Sequence, residues 1–470
     1  MIILNLSAPP AETLTGRHRF LMITSICIGV FISHFTAGIV NVSLPKFMII
    51  FQTELETVQW ITTGYLLVIA CLLPIMGKLG DRYGHRCIHN LGYVFFTISS
   101  VLVAFSPNIS VLLILRMVQA IGAAMFQATN IALITIHVPK GKRGQALGIV
   151  STAVALGAMT GPIIGGFIAE WLSWQWLFLI HVPVALVATL LAMRYIPERG
   201  QERQEEPFDS IGMILFIFVI GSVIFGISNG NAWGWLSAET LSLSVAAVIA
   251  FFLFLLRESR EKSSFLPLGV FRIPEVSYGL IISCVSFMLA NSVLVTMPFF
   301  LSRNAGFSSV TVGTIMIAYP ILLAFTGPVA GHLSDRYGSR SFMFMGLCGM
   351  GIGLAALALY LHQLSTVGIV AVLALMGVGM GLIASPNNSF IMRYVPMKDV
   401  GSIGGVVALT RNAGMVLGAA LGLGVMNGDA IQESAPLLGA LKSVFGLGVI
   451  ICMASIVMLS YSVLKNKRKT

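Results

Sequence analysis

Runs of about twenty apolar residues recur from residue 20 to residue 463, separated by short polar turns. A run of that length buries its backbone polar groups only as a helix across a bilayer, since a lipid-exposed loop or open strand leaves N–H and C=O groups unsatisfied. Charged residues make up 10% of the 470 positions and the mean hydropathy is +0.92, whereas a soluble chain carries roughly 25% charged residues. The runs read as fourteen spans: 20–44, 57–77, 88–106, 110–135, 146–169, 176–194, 211–229, 240–256, 276–300, 309–330, 341–361, 367–390, 402–425 and 439–463.

One turn occurs twice. Gly77-Lys78-Leu79-Gly80-Asp81-Arg82-Tyr83-Gly84-His85-Arg86 returns as Gly331-His332-Leu333-Ser334-Asp335-Arg336-Tyr337-Gly338-Ser339-Arg340, 254 residues later. A second repeat supports it. Gly157, Gly161 and Gly165 in span five match Gly414, Gly418 and Gly422 in span thirteen, at a shift of 257. Small residues every fourth place form a smooth stripe on which a second helix can approach closely. The chain therefore reads as all-α, with two parallel six-helix repeats and two helices inserted between them. The expected divisions are 1–19 (N-terminus), 20–194 (first bundle), 195–275 (polar links and inserted helices), 276–463 (second bundle) and 464–470 (basic tail).

Orientation follows from charge. Of 28 Lys and Arg, 23 fall on the side of the termini, which places both termini in the cytoplasm by the excess of positive residues there. Trp60, Trp171, Trp174, Trp176, Trp233 and Trp235 fall at the opposite ends, where an indole satisfies both its apolar body and its N–H. The net charge of +10 fits loops against an anionic membrane surface and not a nucleic-acid partner. Six scattered cysteines form no CxxC pair, so neither a metal site nor a disulfide framework is expected. No Gly-Lys-Ser/Thr phosphate loop is present, and no loop clusters Asp, Glu and His as an enzyme acting on lipids would need. No cofactor is expected. Parallel repeats around a central site suit a transporter.

These residues closely resemble the major facilitator superfamily, in particular its fourteen-helix drug/proton antiporter branch, over essentially the whole chain. The loop signature stands as Gly77, Leu79, Asp81, Arg82, Gly84 and Arg86, and the antiporter signature of span five as Gly157, Gly161, Pro162, Gly165 and Gly166. The span-four signature stands as Arg116, Gln119, Ala120, Gly122 and Ala123, with alanine at its first glycine. Val40-Asn41-Val42 with Leu44-Pro45, and Trp60 with Tyr65 and Leu66, also look like this branch. The resemblance implies a plasma-membrane exporter of a small amphipathic or cationic compound, working by alternating access and coupled to protons, as a monomer. One departure matters: Thr36 stands where the family carries a membrane-embedded aspartate, and none of the 18 acidic residues falls near the centre of a span. Export of a particular metabolite with different or no proton coupling is the alternative.

Candidate residues follow. Gly77, Asp81, Arg82, Gly84 and Arg86, with Gly331, Asp335, Arg336, Gly338 and Arg340, form a paired cytoplasmic latch, or else turns whose arginines merely retain them inside. Arg116 is costly in a span, about 2.5–3.5 kcal/mol at its centre. It either faces a polar site with Gln119 or snorkels to the outer interface. Arg411, roughly ten residues into span thirteen, is a buried polar candidate of the second half, or lies at the interface if that span begins later; Asn387, after Pro386, lines a cavity or satisfies carbonyls that the proline releases. His34 offers a titratable ring two places before Thr36, or a packed histidine. Asn41 completes the set. The run Gly157, Gly161, Pro162, Gly165 and Gly166 reads as a hinge or as simple close packing.

Overall fold

The structure, a computed structural model, describes residues 16–197, 209–234, 236–260, 266–303, 307, 309–424 and 434–467. It is helical throughout. The helices are α1 (Gly16–Phe51), α2 (Leu55–Tyr83), α3 (His85–Ala104), α4 (Ile109–His137), α5 (Arg143–Trp171), α6 (Trp176–Leu179), α7 (Val182–Tyr195), α8 (Ser210–Trp233) and α9 (Ala238–Arg260). There follow α10 (Leu268–Phe271), α11 (Pro274–Arg303), α12 (Ser309–Met316), α13 (Ala318–Tyr337), α14 (Ser339–Tyr360), α15 (Thr366–Tyr394), α16 (Val400–Gly424) and α17 (Ser434–Lys467).

Local chemistry sets where the helices begin. Asn108 Oδ1 accepts from the Val111 amide at 2.9 Å, Asp209 Oδ1 from Gly212 at 3.0 Å, and Ser365 Oγ from Gly368 at 3.2 Å. These bonds satisfy amides that the first helical turn leaves open. The duplicated turn has one backbone form in both copies: Gly84 and Gly338 take φ of 95° and 91°, a region that side-chain-bearing residues avoid.

Among the described residues twelve helices are long and apolar enough to cross a membrane. The fourteen stretches read from the sequence are thus matched in part. Span five is the 29-residue α5, whose side chains at 159, 162, 163 and 169 lie outside those described. Span seven is α8, whose described apolar run, Ser210–Gly226, is shorter than a bilayer crossing.

The chain divides into two compact units. One takes residues up to Val138, Leu156–Leu268 and Pro396–Leu409; the other takes Pro139–Ala155, Gly269–Val395 and the chain from Thr410. The first has a core of Phe35, Ile39, Phe47, Ile61, Leu112 and Phe178; the second is built around Leu289, Met297, Leu347, Met376, Leu441 and Phe445. Within the first unit α8 packs on α9 and on α2, with Trp60 against Phe225 at 5.3 Å and Phe216 against Phe254 at 5.9 Å. The remaining face of α9 exposes Leu241, Val245, Val248, Phe252 and Leu256, as a helix against lipid does.

The glycine stripes bring backbones together in each unit. A Cβ at Gly157, Gly161 or Gly165 would run into the carbonyls of Phe31, Phe35 and Ile39, so this part of α5 lies directly on α1. In the second unit Gly414 and Gly418 meet the carbonyls of Cys284 and Met288, so α16 lies on α11 in the same manner.

Candidate functional site

Each copy of the duplicated turn presents its carboxylate to the first turn of a helix from the other sequence half. Asp81 Oδ1 accepts from the Gly401 amide at 2.8 Å, and Oδ2 accepts from the Ser402 amide and hydroxyl, both at 2.7 Å. Asp335 accepts from Gly144 at 2.8 and 3.1 Å and from Gln145 at 3.3 Å. Both contacts are anion seats at helix N-termini, where free amides and the helix dipole favour negative charge. Close approach is a glycine matter: a Cβ at Gly77 would strike the Gly401 carbonyl, and one at Gly331 the Gly144 carbonyl. Pro139 with a 3-10 turn precedes α5, and Pro396 with another precedes α16, so even the approach to the seat is duplicated.

The arginines of these turns do not pair with the aspartates. His85 Nε2 lies 3.3 Å from Asp81 Oδ1. Arg86 donates to the Met193 carbonyl at 2.8 Å in the last turn of α7. Arg340 reaches Glu275 at 3.5 Å and lies over the Phe390 ring. Arg82 and Arg336 sit over the neighbouring Tyr83 and Tyr337 rings, each at 5.4 Å. Gly84 and Gly338 supply the positive φ between helices.

Arg116 is fully buried and does not snorkel. Its Nη1 donates to Thr36 Oγ1 at 3.1 Å and to Gln119 Oε1, its Nη2 to the Thr36 carbonyl at 3.0 Å, and its Nε to the Ile61 carbonyl at 3.2 Å. The guanidinium lies 4.0 Å from the Tyr65 ring centre and 5.6 Å from that of Phe178. Gln119 passes the network on to Ser100 at 2.5 Å and His181 at 3.4 Å. Ser33 joins Tyr65 to Gln127, at 3.1 and 2.6 Å. All these partners of Arg116 are neutral, and Thr36 supplies two of the acceptors. The node ties α1, α2, α3 and α4 together through one cation.

The other candidates scatter. His34 Nδ1 lies 2.9 Å from the Val30 carbonyl on its own helix. The side chain of Asn41 and the ring of Pro162 lie outside the described side chains. A Cβ at Gly166 would meet nothing within 4 Å, so that glycine stands apart from the packed stripe. Asn387 donates to the Gly279 carbonyl at 2.8 Å, leaving its Oδ1 unpartnered. Arg411 is 8% exposed, lies 6.0 Å from the Phe287 ring centre, and its Nε has no hydrogen-bond partner. No group of three His, Cys, Asp or Glu among the described residues could hold a metal.

Sequence reasoning missed the receiving halves of the seats: Gly144, Gln145, Gly401, Ser402 and His85, with Ser385, whose hydroxyl donates to the Gly144 carbonyl at 2.6 Å. A signal was present. Gly144 and Gly148 recur as Gly401 and Gly405 at the same 257-residue shift as the glycine stripe.

A helical membrane protein with a duplicated carboxylate-on-helix seat and a charged node inside one bundle belongs to the class of secondary transporters. The description Major Facilitator Superfamily matches residues 26–419 and 279–469, and the chain belongs to that family. It is 31% identical to the riboflavin transporter RibZ of Clostridioides difficile (strain 630), over 86% of this chain and 87% of that one. It is 29% identical to the multidrug resistance protein Stp of Mycobacterium tuberculosis (strain CDC 1551 / Oshkosh), over 86% of this chain and 75% of that one. The human organic anion transporter MFSD10 has the same fold, with a TM-score of 0.66 at 13% identity, covering 95% of this chain and all of that one. The chain is a multi-pass membrane transporter, and not an enzyme.

Proposed function

We propose that this transporter exports a small amphipathic compound by alternating access, with the two aspartate seats made in one state and broken in the other. The observation that carries this reading is the doubled seat, Asp81 on the start of α16 and Asp335 on the start of α5. Retention of a turn in the cytoplasm needs positive charge alone, whereas two carboxylates bonded to two helix N-termini in matching positions suit a contact that is made and released. The full reading has fourteen spans, with α8 and α9 as an inserted pair at 195–275 between bundles at 20–194 and 276–463. Both termini, 1–19 and 464–470, are cytoplasmic in this reading, and the protein works as a monomer.

Proton antiport is the first mode of drive. A metabolite exporter with other coupling is favoured by one observation: Arg116 is satisfied by Thr36 and other neutral acceptors, with no carboxylate in the node to carry a proton. Compound accumulation in cells expressing the chain, measured with and without a protonophore, tests both. Accumulation that rises on uncoupling supports antiport. Efflux that persists points to the second mode, and equal accumulation with and without the chain overturns export.

A further inference from the structure

The two buried arginines differ in their surroundings. Arg116 donates to four acceptor atoms and has no exposed surface. Arg411 is almost as deep, yet its Nε is unpartnered, and none of the ion pairs among the described residues, His85–Asp81, Arg257–Asp209 and Arg340–Glu275, includes it. A guanidinium presents five N–H donors in a fixed fork, always charged, and matches a carboxylate, sulfonate or phosphate with two parallel bonds.

The position is built, not incidental. Gly414, one turn on, presses α16 against the Cys284 carbonyl and the Phe287 side chain. Asn291 of α11 donates to the Met415 carbonyl at 2.6 Å, which pins the two helices at this level. The Phe287 ring thereby lies beside the guanidinium at 6.0 Å and offers an apolar surface next to the charge. Arg411 lies eleven residues after Val400 in α16, about 16 Å along the helix axis and about halfway through a 30 Å hydrocarbon layer. A lipid headgroup does not reach that depth. A solute does.

We propose that Arg411 is the anion-recognition point of the transported solute, which is a small amphipathic anion, an aromatic or aliphatic body bearing a carboxylate, sulfonate or phosphate. This rests on the transport reading and replaces the cationic cargo expected from the resemblance: a buried cation without a counter-charge repels cations and lacks an anion.

The full chain is reconstituted in zwitterionic lipid only, which removes anionic headgroups as competitors. It is then probed with carboxyfluorescein and rhodamine 123, two xanthene dyes of opposite charge. Fluorescence polarisation in nanodiscs reads binding, and dye movement across vesicles reads transport. The wild type holds carboxyfluorescein at least tenfold more tightly than rhodamine 123. Arg411→Gln weakens carboxyfluorescein about 10- to 100-fold, the loss of a charged hydrogen-bonding partner, and leaves rhodamine 123 unweakened. Arg411→Lys keeps the charge without the fork, retains the preference in reduced form, and guards against a Gln variant that misfolds. A wild type that prefers rhodamine 123, or an Arg411→Gln protein that holds carboxyfluorescein like the wild type, overturns the proposal. If binding follows the expected pattern but neither dye moves, the anion site stands and the transport reading fails. If carboxyfluorescein moves equally well in the wild type and in Arg411→Gln, transport stands and the site fails.

Discussion

Asp81→Asn is the most direct perturbation of the paired seats. The wild-type carboxylate accepts two amides and one hydroxyl from Gly401 and Ser402. Asparagine keeps one carbonyl oxygen and turns an NH2 group toward the other amide, a donor facing a donor. One charged hydrogen bond is lost, worth about 1.5–3 kcal/mol, and the remaining one becomes neutral and weaker. The favourable charge at the α16 N-terminus, about 0.3–1 kcal/mol, disappears as well. The Ser402 hydroxyl can rotate to accept from the new NH2, which largely replaces the bond it gave to the carboxylate. The net change is about 2–3 kcal/mol against the seated state, or a roughly 30- to 150-fold shift in the seating equilibrium. Hydrogen exchange of peptides within 396–409 reports the seat directly, because its amides are the donors. Their exchange should accelerate by that factor, transport turnover should fall, and the amount of protein in the membrane should stay level. Asp335→Asn should act in the same direction but more weakly: Asp335 Oδ2 alone accepts from both the Gly144 and the Gln145 amides, so an asparagine carbonyl in that place keeps both. Unchanged exchange over 396–409 in Asp81→Asn, together with unchanged turnover, would refute the reasoning.

Other outcomes follow from the packing and the buried node. Gly161→Leu should cut membrane abundance severely, because its side chain must displace the Phe35 carbonyl, whereas Gly166→Ala should be silent or stabilising by up to about 1 kcal/mol; immunoblots and melting curves of the two variants decide it. Arg116→Ala should lower the melting temperature by the equivalent of about 2–4 kcal/mol, since it removes four buried hydrogen bonds and takes the arginine donor from Gln119 Oε1. Thr36→Asp should be tolerated while Arg116 is present, because the new carboxylate meets Nη1. It should fail in the Arg116→Ala background, where breaking the pair leaves a buried charge at about 3–5 kcal/mol; a double-mutant melting cycle measures the difference.

Much of this fold is legible because membrane helices announce themselves by length and hydropathy, and because duplication repeats its marks at fixed shifts. The Asp-Arg-Tyr-Gly turns and the glycine stripes carry their spacing in the chain itself, and the backbone angles of Gly84 and Gly338 agree with that reading. What spacing does not carry is the partner. Asp81 can be seen in the sequence to want hydrogen bonds, but nothing near it indicates that the donors lie 320 residues on, at Gly401 and Ser402. The same holds for Arg116, whose expense is plain while its four acceptors come from α1, α2 and α4. Gly166 shows the converse error. It shares the glycine run with Gly165, yet one residue's rotation of about 100° takes it off the packed face.

Duplication also sharpens where the halves have parted company. The seats, their glycine approaches and their preceding prolines are matched, as the proposed made-and-released contact requires of both halves. The buried arginines are not matched. Arg116 is spent on holding four helices together, and Thr36 allows this with no ionised partner, because a hydroxyl and a carbonyl together accept two of its donors. Arg411, on a helix that repeats α5 and not α4, has an Nε with no partner among the described residues. On the proposal above, the guanidinium whose Nε is unpartnered among the described residues is the group that a transported anion would meet. On that proposal the two arginines separate the roles of scaffold and recognition, and a substrate anion completes the second.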